Sequence, residues 1–119
     1  MAEISKHELV LAIISSRTAP RLAGVDLSGL NLRALSLSGA DLRNADLSHA
    51  DLTHADLRSA NLQGANLKNA SLRFAFLDHT ELNGCETDGC DFSGAKLSDT
   101  TLDSKQKKTA LNVPAESET

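Results

Sequence analysis

Leucine returns at every fifth residue through most of this chain. It stands at positions 22, 27, 32, 37, 42, 47, 52, 57, 62, 67, 72, 77, 82, 97 and 102, with Phe92 in the same register and Thr87 as the one polar exception. Sixteen apolar residues in seventeen consecutive steps are not chance. A spacing of five fits neither the helical period of about 3.6 nor the strand period of about 2. A third backbone geometry is required, and repetition at a fixed period points to a solenoid.

A second column lies two residues before each leucine. It reads Val25, Leu30 and Leu35, then Ala40, Ala45, Ala50, Ala55, Ala60, Ala65, Ala70 and Ala75, then Thr80, Cys85, Cys90, Ala95 and Thr100. Between the columns most repeats carry Asp or Asn, as at Asp41, Asp51, Asp56 and Asn61. Two inward positions flanking an outward one describe a very short extended segment. The two residues after the leucine must then turn the chain. Gly or Asn often takes the second of these places, as at Gly24, Asn44, Gly64 and Asn69, where unusual backbone angles are tolerated. The expected core is the central column, Leu42, Leu47, Leu52, Leu57, Leu62, Leu67, Leu72 and Leu77. Burying each such leucine contributes about 1.5–3 kcal/mol before entropy is subtracted. Aromatic residues make up only 3% of the chain, so aliphatic side chains must fill the interior.

The run ADLRNADLSHADLTHADLRSANLQGANLKNA, beginning at Ala40, resembles the pentapeptide repeat family with its A(D/N)LXX signature. The resemblance covers residues 20–104. It implies an all-β solenoid, a right-handed quadrilateral β-helix of about four coils with four repeats per coil.

The stack leaves two ends, and native proteins cover such edges. Residues 1–19 are expected to form an N-terminal capping α-helix. Ser5 to Glu8 reads as a capping box, Ile4 and Leu9 as its hydrophobic staple, and Leu9, Val10, Ile13 and Ile14 as an apolar face for the first coil. Residues 105–119 are expected to give a short C-terminal cap with a disordered tail, Leu111 and Val113 being the large apolar side chains there. The alternative for this end is a homodimer through the last coil.

A formal charge of -4 and scattered basic residues give no Lys/Arg stripe, so no nucleic-acid partner is expected. Cys85 and Cys90 form neither a CxxC pair nor a disulfide framework, which suits a reducing compartment. The longest apolar run, Leu9 to Ile14, is too short to span a membrane and lacks a cleavage pattern. A cytoplasmic protein is the expectation, with no membrane association.

Catalytic, cofactor and metal sites are not expected. His49, His54 and His79 take outward turn positions, and the recurring aspartates follow the repeat. Phe74 and Phe76, however, both take positions that normally face out, next to Arg73, and mark an expected contact patch. Asp26, Asp46, Asn66 and Glu86 fall in four-repeat register and should form a narrow acidic stripe. Thr80 and Thr87 make the interior polar near Cys85, so that coil is expected to be weaker or distorted.

A non-catalytic interaction or scaffold module for a protein partner is therefore the leading functional expectation. Two others stand beside it. The resemblance implies that a member of this family can imitate DNA and inhibit a type II topoisomerase, DNA gyrase. Here residues 20–104 carry seven Lys/Arg against twelve Asp/Glu, a modest charge for a duplex mimic. The third is a self-assembling structural protein.

Overall fold

The computed structural model describes Glu8 and residues 19–114. The expected capping helix over 1–19 lies outside the described residues except for Glu8, which is helical, and Ala19, which leads into the first coil.

From Arg21 onward the backbone pairs in parallel with itself at a step of twenty residues. Arg21 bridges Asp41, Asp41 bridges Asn61 and Asn61 bridges Glu81; the other three sides repeat the pattern, as in Ser36, Asp56, Phe76 and Lys96. A five-residue repeat paired at twenty makes a four-sided coil. Each contact is a single-residue bridge and not a long strand, because a turn follows every short extended segment. The solenoid has continuous ladders across its coils but no extended strands along them.

Hydrogen bonding explains why the stack holds. In the repeat around Leu62, Asn61 N–H donates to Ala40 O at 2.9 Å, Leu62 N–H to Glu81 O at 2.9 Å, and Gly64 N–H to Asn83 O at 2.9 Å. Ala65 N–H closes the turn onto Leu62 O at 2.9 Å. The third residue of each turn lies in the left-handed region, from φ 54° at Asp99 to 73° at Gly64. Glycine and asparagine are not alone there: Ala34, His49, His54, Ser59, Phe74 and His79 adopt the same conformation. It costs about 1–2 kcal/mol for such residues, and the ladders and core on either side hold the corner in place.

Leu42, Leu47, Leu52, Leu57, Leu62, Leu67, Leu72 and Leu77 have no solvent exposure, and the alanines from Ala40 to Ala75 line the tube beside them. Val25, Leu30 and Leu35 pack against this core while only partly buried. The polar interior residues are all bonded. Thr80 Oγ1 donates to Leu57 O at 2.6 Å, Cys85 Sγ to Leu62 O at 2.8 Å, and Thr100 Oγ1 to Leu77 O at 2.6 Å. Glu81 and Glu86 keep the regular bridges to Asn61 and Asn66, so this coil stays in register with the one before it.

After Leu102 the chain leaves the coil for a short helix, α1 (Ser104–Thr109). Asp103 and Gln106 form its capping box: the Asp103 side chain accepts from Gln106 N–H at 2.8 Å, and Gln106 Oε1 accepts from Asp103 N–H at 2.9 Å. Gln106 is buried over the tube, its Nε2 donating to Leu82 O at 2.8 Å and Cys85 O at 3.2 Å. Leu111 then returns as one more rung, bridging Asp91. Thr87 lies beneath α1, its hydroxyl 3.3 Å from Gln106 O and 3.0 Å from Thr109 Oγ1. The single break in the leucine column thus falls where a helix, and not another repeat, lies above.

Candidate functional site

Phe74 takes the left-handed corner after Leu72, and Phe76 takes the outward place between Ala75 and Leu77. An inward residue between two outward ones sends both rings away from the core, and they are 45% and 41% exposed. One coil below, His54 stacks on Phe74 with centroids 5.2 Å apart and planes 13° from parallel. The Arg73 guanidinium lies 5.8 Å from the Phe74 ring centre and that of Arg58 5.7 Å from the Phe76 ring centre. Such cation–π contacts attract moderately at exposed sites. Arg58 is fixed in turn by Asp56, through Nε to Oδ1 at 2.9 Å and Nη2 to Oδ2 at 2.8 Å. This paired hydrogen bond holds the Asp56 carboxyl below its ordinary range. Arg73 stands looser, 4.0 Å from Asp91 Oδ2. The result is two exposed rings edged by three basic or imidazole side chains.

His54 and Arg58 escaped the reading of the sequence as parts of this patch. The signal was there: subtracting twenty from 74 gives His54, and from 76 and 78 gives Asp56 and Arg58.

Asp26, Asp46, Asn66 and Glu86 do fall in one ladder. Their carboxylates are turned to local use. Asp26 Oδ1 accepts from Ser28 N–H at 3.0 Å and from Ser28 Oγ at 2.6 Å, and Asp46 accepts from Ser48 at the same distances. The Ser28 bonds hold the Asp26 carboxyl down at about 2. Glu86 lies 3.5 Å from Lys68. This row braces the turns that follow it, as such Asp side chains do.

Elsewhere the residues that could carry chemistry are dispersed. Cys85 and Cys90 are free and buried. Burial raises the Cys85 thiol to about 12 and pushes that of Cys90 up as well. His49 and His79 are exposed, with His79 Nδ1 3.6 Å from Asp99 Oδ2. Among the described residues no three His, Cys, Asp or Glu side chains gather as a metal ion would need. Three clefts of about 310–320 Å³ border the last coil. One is lined in part by Asp78, Lys96 and Asn112 and another by Asp99, Thr100 and Lys107; the third, beside α1, is lined in part by Cys85, Glu86, Asp88 and Asp103, where the thiol is buried.

Four-sided coils of five-residue repeats, with leucine and alanine inside and a mostly polar exterior, define a five-residue-repeat solenoid. The model for pentapeptide repeats matches residues 21–58, 50–86 and 60–103, with eight copies. The chain belongs to the pentapeptide repeat family. Among solved structures it is similar to a pentapeptide repeat protein from the Arabidopsis thaliana thylakoid lumen, with 26% identity, 80% of this chain and 81% of that one covered, and a TM-score of 0.58. A pentapeptide repeat protein from Nostoc PCC 7120 matches at 23% identity over 92% of this chain and 94% of its own, with a TM-score of 0.35. QnrB1, a plasmid-mediated fluoroquinolone resistance protein, matches at 20% identity over 71% of this chain and 51% of its own, with a TM-score of 0.41. Comparison with curated protein sequences gives no match.

Proposed function

We propose that this protein is a non-catalytic interaction module and that Phe74, Phe76 and Arg73 form the centre of its contact with a protein partner. The supporting observation is the pair of rings. Among the described residues, Phe74, Phe76 and Leu111 are the large apolar side chains left exposed. Aromatic and arginine side chains dominate the energetics of protein contacts, because each covers much area with few rotatable bonds. The test is a Phe74→Ser, Phe76→Ser double variant, used as bait beside the wild type in affinity capture with mass spectrometry. Loss of specific partners with an unchanged circular dichroism spectrum is expected. A folded variant that keeps every partner removes the patch from consideration.

Imitation of DNA has less support here. Asp41 and Asp56 are clamped by Arg43 and Arg58 two residues on, and Asp51 pairs with Arg33 at 3.1 Å, so the aspartates do not form a row of bare charges. The likeness to the resistance protein is too distant to add to it. A homodimer through the C-terminal coil end would have to pack over α1 and Leu111. A reducing, cytoplasmic location is our reading, supported by the two free buried thiols. No helix among the described residues is long and apolar enough to cross a membrane.

A further inference from the structure

Asn83–Gly84 is the one Asn–Gly step in the chain, and it sits where a hydrogen-bond ladder runs out. On this corner each turn N–H is tied to the coil above. Gly24 donates to Arg43 O at 2.9 Å, Asn44 to Gln63 O at 3.0 Å, and Gly64 to Asn83 O at 2.9 Å. The same step from Gly84 leads to the carbonyl of Asp103. That carbonyl belongs to the N-cap of α1 and accepts Lys107 N–H at 3.0 Å, because the chain has turned out of the coil. Among the described residues Gly84 N–H has no hydrogen-bond acceptor. Asn83 and Gly84 are both exposed, and the Asn83 amide is held only by Nδ2 donating to Glu81 Oε2 at 3.2 Å, a surface bond that water contests.

A free backbone nitrogen one residue after asparagine is the nucleophile of intramolecular deamidation, and glycine leaves it sterically open. We infer that Asn83 is a site of spontaneous deamidation. Gly84 N attacks Asn83 Cγ, and the new N–Cγ bond closes a succinimide ring. Nδ2 leaves as ammonia, taking up the proton released from Gly84 N–H. Water then opens the ring at either carbonyl, leaving aspartate or isoaspartate.

Asp88–Gly89 provides an internal contrast, since aspartate before glycine forms the same ring with loss of water. Asp88 is exposed too, but Gly89 N–H donates to Thr109 O at 2.9 Å, in the last residue of α1. One short helix therefore protects the second step and leaves the first bare. The product has structural consequences. Isoaspartate adds a methylene to the main chain inside the turn that Cys85 N–H closes on Leu82 O at 3.2 Å. It also converts the Asn83 carbonyl, the acceptor for Gly64 N–H, into a free carboxylate.

The experiment incubates the full chain, folded or in guanidinium, at mildly alkaline pH for Asn83 and at mildly acidic pH, where the carboxyl is partly protonated, for Asp88, and follows both steps by peptide mass mapping with isoaspartate-specific methyl labelling. Asn83 should convert in the folded protein within about threefold of its unfolded rate, while Asp88 is slowed at least about tenfold by folding, through its retained hydrogen bond. An Asn83 that stays an amide in the folded chain while converting in guanidinium overturns the inference. Equal protection of Asn83 and Asp88 does so as well.

Discussion

The ring of Phe74 rests on Gly94, twenty residues further on, so closely that a Cβ at Gly94 would overlap the ring carbons. Asn44 stands in the same relation to Gly64, and Asn69 to Gly89. At these corners the side chain leans onto the next coil, and the residue there must make room for it.

This distinguishes glycines that look equivalent in sequence. Gly29 and Gly94 share the left-handed conformation, at φ 70° and 68°, but a Cβ at Gly29 would meet nothing within 4 Å. Gly29→Ala should cost only the conformational penalty of about 1–2 kcal/mol. Gly94→Ala should cost a further ~1–3 kcal/mol from the overlap. Urea denaturation measures both, and adding Phe74→Ala to Gly94→Ala should recover the excess. Equal costs at the two glycines would refute the coupling.

Thr87 offers a test of the C-terminal end. Replacing it by leucine restores the repeat on paper, yet should destabilise by about 1–3 kcal/mol, because the larger side chain is forced against α1. Thr87→Val should lose ~1 kcal/mol with the hydroxyl bonds to Gln106 O and Thr109. Leu62→Ala, in mid-stack, should cost ~2–5 kcal/mol because the coils on either side prevent collapse of the cavity. Denaturation midpoints rank the three, and a Thr87→Leu protein more stable than wild type would contradict the account.

The cysteines set an alkaline limit. Burial raises the Cys85 thiol from 9.0 to about 12 and raises Cys90 also. Above pH 9 the unfolded chain therefore releases protons that the folded chain keeps. Stability is full below that value and falls as pH rises from 9 toward 12. At neutral pH a thiol reagent should label neither cysteine until denaturant is added, and Cys85→Ala, Cys90→Ala should flatten the alkaline decline. Prompt labelling of the native protein would argue against buried thiols.

Asp26 and Asp41 define the acid side, with the opposite sign. Bonds from Ser28 and Arg43 lower them from 3.8 to about 2. Their contribution is full above 3.8 and is lost as pH falls through about 2. Carboxyl chemical shifts followed by nuclear magnetic resonance should titrate near 2 for both residues, and ordinary titration near 3.8 would show the bonds to be absent in solution.

The solenoid, its inward leucine and alanine columns and the exposed Phe74 and Phe76 were legible in the chain alone. A strict five-residue period turns every leucine toward one interior, the resemblance to A(D/N)LXX repeats supplied the four-sided coil, and an aromatic in an outward place is anomalous wherever it occurs. What stands above each residue was another matter. The helical end, the reason for Thr87, the stacking of His54 on Phe74 and the different fates of Gly84 and Gly89 appeared only in the tertiary structure. Each depends on a residue about twenty positions away, and at the last coil the regular step fails because Asp103 gives its carbonyl to a helix. A repeat specifies its neighbours only while it continues, so the end of the stack had to be decided by packing.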